Sequence, residues 1–417
     1  FIYTVDMTDS LKDLRDQKKN KWHLLPYCIS FLFSSVFIFY LVFNFSNYQS
    51  PQKIVEYGFS FGFLILLVLP TVGQIFQPQL NIKSTEKRAL VEMPKLKLVD
   101  IEKYPRAFEN YYNDNFGFRD LLIQIGGYLK VVIFNASPDQ DKTVMGYDKW
   151  VFLSGEFYGV IQDIKRENLL SDDQLKKKVE GWVQKRNVLA ANGIKYYKAI
   201  WPEKHNVYPQ YLPLSLKLQL KDTLSKTDQM ILGLQKIDSS LEIIDVRKEL
   251  IEAQKTTQVY LKNDTHWNDY GAFIGYQKLM QTISKDFREI LPLKTLEDYH
   301  IKWEESSFGD LFGMMGINEA ERFTETIPNF VPLGKSQEIV SMPTDSYPPE
   351  TVFHRNNNNK DSLRVIIFRD SFTRNLVKFI SPHFHEVLYI WAPYDSSIVE
   401  AYKPDIVIEC FVERRFE

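Results

Sequence analysis

The segment LRVIIFRDSFTRNLVKF runs from Leu363 to Phe379 and predicts a buried strand that passes directly into a helix. Its first half is rich in β-branched and aromatic residues, which favour strands. The apolar run breaks at Arg369 and Asp370 and delivers Ser371 to the start of the helix. A serine placed there lies at the carboxyl end of a strand, where parallel sheets open their ligand crevice. The segment is therefore typical of a nucleophile elbow, although a serine that only caps the helix is the alternative.

Four further runs of similar composition predict strands on either side of this segment. They are KYYKAI (Lys195–Ile200), LEIIDV (Leu241–Val246), EVLYIW (Glu386–Trp391) and DIVIECF (Asp405–Phe411). Helical patterns alternate with these runs, most clearly over residues 171–193, where Ser171 can cap the helix and Gly193 can end it. This alternation predicts an α/β fold with a mostly parallel sheet flanked by helices.

Two polar segments interrupt the pattern before the last motif. MPTDSYPPE (Met342–Glu350) and NNNN (Asn356–Asn359) are rich in residues that favour turns over helices and strands. We expect both segments to be surface loops.

The composition excludes several broad classes of protein. The chain has 417 residues, and 51 Lys and Arg against 53 Asp and Glu leave a net charge of −2, so no basic excess points to a nucleic-acid partner. Hydrophobic residues make up 44%, which is enough for a packed core and unlike a disordered chain. Two cysteines, Cys28 and Cys410, exclude a disulfide framework and a four-thiolate zinc site.

The first 82 residues predict a membrane region. Two uncharged apolar segments, residues 24–46 and 57–76, each reach the roughly 20 residues that a membrane-spanning helix needs. Pro26 and several serines dilute the first segment, so the second is the better anchor. A buried core helix is the alternative for each. From residue 83 to residue 417 the charges are mixed and no repeat appears, which predicts one large folded domain.

A second motif, NDTHWNDYGA at Asn263–Ala272, places Asp264 and His266 two residues apart before a predicted helix. In an extended stretch such residues share a side. A carboxylate beside an imidazole fixes its tautomer and stabilises its protonated form, as a general base requires. A capping carboxylate beside a surface histidine is the alternative. Together with Ser371, the pair completes the inventory of a nucleophile, a base and an orienting acid.

With these motifs the chain resembles a known family, the SGNH-hydrolase-like polysaccharide O-acetyltransferases typified by the alginate acetylation proteins AlgJ and AlgX. In that family an Asp-x-His motif precedes the serine motif. The similar segments are spread in the expected order from Asn113 to Arg415. They are NDNFGFRDLL (Asn113–Leu122), GYDKWVFL (Gly146–Leu153), PEKHNVYP (Pro202–Pro209), NDTHWNDYGA (Asn263–Ala272), FRDSF (Phe368–Phe372) and PDIVIECFVERR (Pro404–Arg415).

The resemblance implies an SGNH-hydrolase-like domain in which Ser371 is the nucleophile, His266 the general base and Asp264 its orienting partner. It also implies transfer of an acetyl group to a cell-envelope or exported polysaccharide, with a membrane-bound O-acyltransferase partner supplying the acetyl group and no cofactor. The domain would be anchored in the cytoplasmic membrane and face the outside of the cell or the periplasm. A carbohydrate esterase and a catalytically silent glycan-binding or assembly subunit remain the alternatives.

Arg369 departs from the family, whose serine motif usually has glycine at this position. A bulky cation there either narrows the oxyanion pocket or binds an anionic glycan, and residue types alone do not choose between these. Three further candidates for substrate binding are Lys204 and Tyr208, which follow a predicted strand, and Trp267, whose ring can stack on a sugar.

The remaining candidates for chemistry are weaker. His383 and His385 have a spacing that metal ligands can show, but no third ligand is evident, so we expect a surface pair and predict no metal site. Gly309 and Asp310 are expected to form a turn near the cleft, and an ordinary turn without a role in the site is the equally good alternative.

Overall fold

The chain divides into two compact units, Phe1–Gly126 and Gly127–Glu417. The computed structural model describes residues 58–60, 62–68, 70, 89–96, 101–155, 159–287, 292–306, 309–315, 324–333, 339–342, 347–359 and 362–415.

The described residues of the first unit form helices and an extended segment. Residues 58–60 and 62–68 are helical, and residues 89–96 are extended. Val91 anchors the extended segment, because its N–H donates to the Asp114 carboxylate over 3.0 Å and its carbonyl accepts from Asn115 Nδ2 over 2.8 Å.

The predicted membrane segments are only partly covered by the structure. The segment 24–46 lies outside the described residues, and so does the predicted domain boundary between residues 82 and 83. Within the part of the chain that the structure describes, no helix is long and apolar enough to cross a membrane.

The strands and helices are numbered here in chain order. The strands are β1 (Thr143–Met145), β2 (Val151–Leu153), β3 (Lys195–Trp201), β4 (Ile243–Asp245), β5 (Tyr299–Ser306), β6 (Glu325–Pro332), β7 (Ile339–Met342), β8 (Val352–Asn356), β9 (Arg364–Arg369), β10 (Glu386–Ile390) and β11 (Ile406–Val412). The helices are α1 (Tyr104–Asn115), α2 (Arg119–Phe134), α3 (Val160–Ile164), α4 (Asp172–Ala191), α5 (Lys204–Val207), α6 (Leu214–Lys217), α7 (Lys226–Ile237), α8 (Arg247–Ala253), α9 (Asp269–Ile283), α10 (Asp310–Met314), α11 (Val377–Ile380) and α12 (Ser396–Tyr402).

A seven-stranded sheet forms the centre of the second unit, with the order β4-β3-β11-β9-β10-β8-β7. The first five strands in this order pair in parallel, and β8 and β7 add an antiparallel edge. All five predicted strands are present and belong to the parallel part, which confirms the α/β fold predicted from the alternating pattern. Two small antiparallel pairs, β1 with β2 and β5 with β6, lie outside this sheet.

Helices cover both faces of the sheet because alternate residues of its strands are apolar on both sides. On β9, Val365 and Ile367 belong to one core with α9, whereas Ile366 and Phe368 belong to a second core with α4 and α7. The predicted helix after residue 171 is α4, and Ser171 caps it by accepting the N–H of Gln174 over 3.3 Å. Helix α4 buries Val179, Trp182 and Leu189, in agreement with the apolar stripe that its sequence periodicity predicts.

The prediction of surface loops before the last motif is wrong at two residues. Met342 ends β7, and Asn356 ends β8 with only 1% of its surface exposed. Asn356 can be buried because its amide nitrogen donates to the carbonyl of Pro382 and its backbone N–H donates to the carbonyl of His385. The segment that leads into β10 thus gives this polar residue the hydrogen bonds that a loop would have taken from water.

Glu413, which follows β11, is a buried carboxyl that links three parts of the second unit. It accepts hydrogen bonds from Glu203 N over 2.7 Å, Asn206 Nδ2 over 2.6 Å and Thr227 Oγ1 over 2.9 Å. Burial raises its pKa from 4.5 to about 7, although these bonds and the nearby Arg247 oppose that rise. The folded protein therefore holds a proton here that the unfolded chain releases above pH 4.5 or so.

We expect Glu413→Gln to flatten the pH dependence of stability. The raised pKa means that stability from this group is fully present below the unfolded pKa and falls as the pH rises from about 4.5 to about 7. A glutamine mimics the neutral form of the side chain and does not titrate. As the pH rises from 5 to 8, the free energy of unfolding of the variant should therefore gain on the order of 1–3 kcal/mol relative to that of the wild type. Thermal melting at the two pH values measures this gain, with Glu400→Gln on the exposed face of α12 as control. An equal effect at both pH values would contradict the prediction.

Candidate active site

The turn after β9 holds Ser371 at the carboxyl end of the sheet. Asp370 is 1% exposed and links this turn to β11, the neighbouring strand of the sheet. Its Oδ1 accepts a hydrogen bond from Phe372 N over 3.0 Å, and its Oδ2 accepts one from Val412 N over 2.7 Å. Burial raises the pKa of Asp370, and the two amides and Arg414 oppose the rise. Ser371 opens a 3-10 helix, Ser371–Leu376, and is partly exposed. The serine is therefore presented by a turn that is fixed to two parallel strands.

Asp264 and His266 form a closed pair in the loop that precedes α9. Oδ1 of Asp264 accepts two hydrogen bonds from His266, from Nδ1 over 2.6 Å and from the backbone N–H over 2.9 Å. Burial opposes ionisation of Asp264, but the hydrogen bonds from His266 and from Asp310 N, together with electrostatic attraction to the imidazole, outweigh it and lower the pKa of Asp264 to about 2. This geometry assigns the proton to Nδ1 and leaves Nε2 as an acceptor.

The structure brings this pair beside the serine turn. The imidazole of His266 lies 4.9 Å from the ring of Phe372, measured between ring centroids. Trp267 Nε1 donates to the carbonyl of Phe372 over 3.0 Å, and Asn375 Nδ2 donates to the carbonyl of Trp267 over 3.3 Å. The residues that follow His266 and Ser371 are thus joined. His266 Nε2 is buried and has no hydrogen-bond partner among the described residues, so the Ser371 hydroxyl is not bonded to it in this structure.

Lys204 and Tyr208 form hydrogen bonds to the backbone of the loop that carries Asp264 and His266. Lys204 is 1% exposed, and its Nζ donates to the carbonyls of Leu261, Lys262 and Asp264 over 2.7–3.1 Å. Burial lowers the pKa of Lys204 to about 8 against the pull of the neighbouring carboxylates. The Tyr208 hydroxyl accepts the N–H of Val259 over 2.9 Å. The polar groups of both side chains thus form hydrogen bonds within the protein, and their contact with substrate stays a prediction.

Trp267 and Arg369 are also enclosed. Trp267 is 0% exposed, and its ring packs against Trp201 at 5.1 Å and Phe372 at 5.6 Å. Arg369 is 4% exposed, donates to the carbonyls of Asp370 and Glu350, and places its guanidinium 4.8 Å from the centre of the Trp391 ring. Contact of Trp267 or Arg369 with a glycan stays a prediction.

Asp310 contacts the Asp264–His266 pair. The sequence predicted only a turn near the cleft at this residue and did not indicate these contacts. Its Oδ2 lies 3.6 Å from His266 Nδ1, so the imidazole has a carboxylate from each of two segments. The ligand atoms of Asp264, His266 and Asp310 lie within 4.8 Å of one another. In the structure these groups bond to one another and to Thr265, an arrangement that suits proton transfer, and we predict no metal there.

The expectation of a surface pair is wrong for His383. This residue is 1% exposed, and its Nε2 is hydrogen bonded to the Tyr276 hydroxyl over 2.8 Å. The bond compensates for burial of the ring, and no sequence pattern near residue 383 marks Tyr276 as its partner.

Comparisons with known proteins agree with the SGNH-like fold. Residues 143–360 match the family model described as "SGNH hydrolase-like domain, acetyltransferase AlgX", a range that includes Asp264 and His266 and ends before Ser371. A protein named probable alginate O-acetylase AlgJ from Azotobacter vinelandii is 26% identical over 181 residues, which is 43% of each chain. The chain therefore spans less than half the length of this curated relative.

Two solved structures resemble the chain more distantly. Bacillus cereus PatB1 has a TM-score of 0.47 and 18% identity, over 65% of this chain and 96% of that one. The O-acetyltransferase domain of Pseudomonas putida AlgJ has a TM-score of 0.40 and 16% identity, over 66% and 91% of the two chains.

Proposed function

This chain belongs to the family described as "SGNH hydrolase-like domain, acetyltransferase AlgX", and we propose that it transfers an acetyl group through Ser371 to a hydroxyl of a cell-envelope or exported polysaccharide. The observation that carries the proposal is the buried Nε2 of His266, which has no hydrogen-bond partner among the described residues. It belongs to an imidazole whose Nδ1 is held by Asp264 and whose ring contacts Phe372, the residue after Ser371. An acceptor nitrogen beside a serine turn is the arrangement that serine acyl transfer needs.

The reaction proceeds in two steps, formation of an acetyl-enzyme and transfer of its acetyl group to the acceptor. In the first, Ser371 Oγ attacks the acetyl carbonyl, Nε2 of His266 takes the hydroxyl proton, and the donor leaves with that proton. In the second, a sugar hydroxyl gives its proton to Nε2 and attacks the acyl ester, and Ser371 leaves as the alcohol by taking the proton back. The Asp264 carboxylate stabilises the imidazolium that exists between these transfers. Backbone amides near Ser371 would stabilise each oxyanion.

The acceptor and donor follow from the family resemblance. Relatives of this chain are named probable alginate O-acetylase AlgJ, and a polysaccharide hydroxyl fits the second step. A membrane-bound O-acyltransferase partner would supply the acetyl group, and no cofactor is required by either step.

The test is incubation of the purified full chain with an activated acetyl ester, with and without an acetyl-free oligosaccharide, followed by mass spectrometry. We expect an acetylated oligosaccharide when the acceptor is present and an acetylated enzyme when it is absent. Release of acetate alone, at a rate that the acceptor does not change, would indicate an esterase. No turnover of the ester and no acetylated enzyme would indicate a silent subunit and would refute the proposal.

Arg369→Gly tests whether the unusual cation obstructs the site. Because the guanidinium contacts the carbonyls of Asp370 and Glu350 and the Trp391 ring, we expect the variant to lose about 1–3 kcal/mol of stability. We also expect its turnover of a small neutral ester to stay within about twofold of wild type, because these contacts hold the chain and not the ester. Thermal melting and ester kinetics measure the two effects. A clear rise in turnover would show that Arg369 narrows the pocket.

We propose that residues 83–417 lie outside the cytoplasm, where an exported polysaccharide can be reached. Positive residues before the first apolar segment favour a cytoplasmic amino end, and two full crossings would return the domain to the cytoplasm. We therefore propose that the second segment, residues 57–76, spans the membrane and that the first, residues 24–46, does not cross. The positive residues are Lys12, Arg15, Lys18, Lys19 and Lys21.

Protease treatment of intact spheroplasts that carry a tag after Glu417 tests this placement. We expect the tag to be removed while a cytoplasmic control protein stays intact. Protection of the tag until the cells are lysed would refute both the placement and an exported substrate.

A further inference from the structure

The Asp264–His266 turn is clamped by the amino end of α10. Asp310 N donates to Asp264 Oδ2 over 3.0 Å, and Thr265 N donates back to Asp310 Oδ1 over 2.7 Å. The Thr265 hydroxyl completes the clamp by donating to Asp310 Oδ2. Two backbone N–H groups and two carboxylates are thus paired reciprocally, across 45 or 46 residues of sequence. Such an arrangement fixes the position of Thr265 and, with it, the residues on either side.

Gly309 shows that the close approach of these segments is built into the chain. A Cβ atom at this position would lie 2.1 Å from the carbonyl oxygen of Asn263 and 2.6 Å from its side-chain oxygen. The backbone of Gly309 is extended, so its use reflects space and not conformation. Behind it, Leu311 and Phe312 are buried in a core with Val151 of β2. Helix α10 is therefore held in place independently of the catalytic loop, and it can act as a fixed support.

The charges around Asp310 come from three other segments. Asp264 lies on the clamped loop, and its charge adds to burial in raising the pKa of the Asp310 carboxyl. Lys204 on α5 and Arg414 after β11 are the cations that interact with Asp310. Asp310 is thus flanked by one carboxylate and two cations, and its Oδ2, at 3.6 Å from His266 Nδ1, is the second carboxylate beside the imidazole after that of Asp264.

We propose that Asp310 is a positioning residue for His266: it holds the Asp264–Thr265–His266 turn and places a second negative charge beside the imidazolium that forms during acyl transfer. This inference rests on the proposed roles of Ser371 and His266. The role has two parts that experiments can separate. The hydrogen bonds position the ring, and the charge favours its protonated form.

The test compares Asp310→Asn, Thr265→Val and Ser371→Ala in the purified full chain, with p-nitrophenyl acetate as substrate from pH 5 to pH 9. For Asp310→Asn we expect kcat to fall roughly 10- to 100-fold with KM within about twofold. The variant also removes a negative charge beside Nδ1, so we expect the acid limb of the activity profile to move to lower pH. Thr265→Val loses the hydroxyl's bonds to Asp310 Oδ2 and, at 3.3 Å, to His266 Nδ1, but it removes no charge, so we expect a smaller fall in kcat and an unshifted pH profile.

Asp228→Asn is the matched control, because Asp228 also receives hydrogen bonds at a helix amino end but lies on α7, away from this loop. We expect it to lower the melting temperature without moving the pH profile. An Asp310→Asn variant with wild-type kcat, or with a fall in kcat and no shift of the profile, would overturn the inference while Ser371→Ala is inactive. If Ser371→Ala keeps wild-type activity, the proposed function itself fails.

Discussion

Ser371→Ala is expected to abolish acetyl transfer and acetyl-enzyme formation. The hydroxyl is the only group that the variant removes, and the turn around it is held by Asp370, whose bonds to Phe372 N and Val412 N do not involve the serine side chain. The fold and the Asp264–His266 pair should therefore survive, and the loss should be chemical. In serine enzymes, removal of the nucleophile leaves only the small acceleration that comes from binding and the oxyanion site. Mass spectrometry of the peptide that contains residue 371, after incubation with an activated acetyl ester, measures the loss.

Two controls make this result specific. Ser397→Ala removes a serine hydroxyl near the amino end of α12, where it donates to Asp395, and should leave the acetylation rate unchanged. The wild-type protein, without acceptor, should gain one acetyl group on the Ser371 peptide. An acetyl group on a different peptide would move the nucleophile, and full activity of Ser371→Ala would end the triad hypothesis.

The parallel sheet could be predicted from the sequence because its signal is local. The LRVIIF run and the DIVIECF run carry the β-branched residues of buried strands, and the structure places them side by side as β9 and β11. The contact between Asp264 and His266 could be predicted for the same reason, since the partners are only two positions apart in the sequence. Local spacing is the information that a single sequence states directly.

The support of the site could not be predicted, because its contacts join distant segments. Lys204 is bonded to carbonyls 57–60 residues away, and Asp310 is bonded to the loop from 45 residues away. A lysine and an aspartate in such positions look like ordinary solvated residues. His383 was expected at the surface for a related reason, since the Tyr276 hydroxyl that allows its burial lies 107 residues earlier. Polar residues are buried when a partner is available, and the partner is set by the tertiary fold.

Asp264→Asn should lower kcat/KM for acetyl transfer by about 10⁴-fold with the fold intact. The two oxygens of Asp264 face donors on both sides: Oδ1 accepts from His266 N and Nδ1, and Oδ2 accepts from Asp310 N. An asparagine has one oxygen and one NH₂ group, so in either orientation it points a donor at a donor. If the NH₂ group faces His266, it favours the tautomer that carries the proton on Nε2, which cannot take a proton from Ser371. If it faces Asp310, the clamp on the loop is broken.

Asp269→Asn separates this effect from a general loss of carboxylates near the loop. Asp269 begins α9, accepts the N–H of Phe330 over 2.9 Å and pairs with Lys378, so its variant should retain activity within about threefold while losing some stability. Circular dichroism and melting curves of both variants establish that each is folded. Asp264→Asn removes an interaction that stabilises the transition state and not the bound substrate. The fall in kcat/KM should therefore come from kcat, with KM little changed. An Asp264→Asn enzyme within tenfold or so of wild type would remove Asp264 from the triad, and it would leave Asp310 as the carboxylate that orients His266.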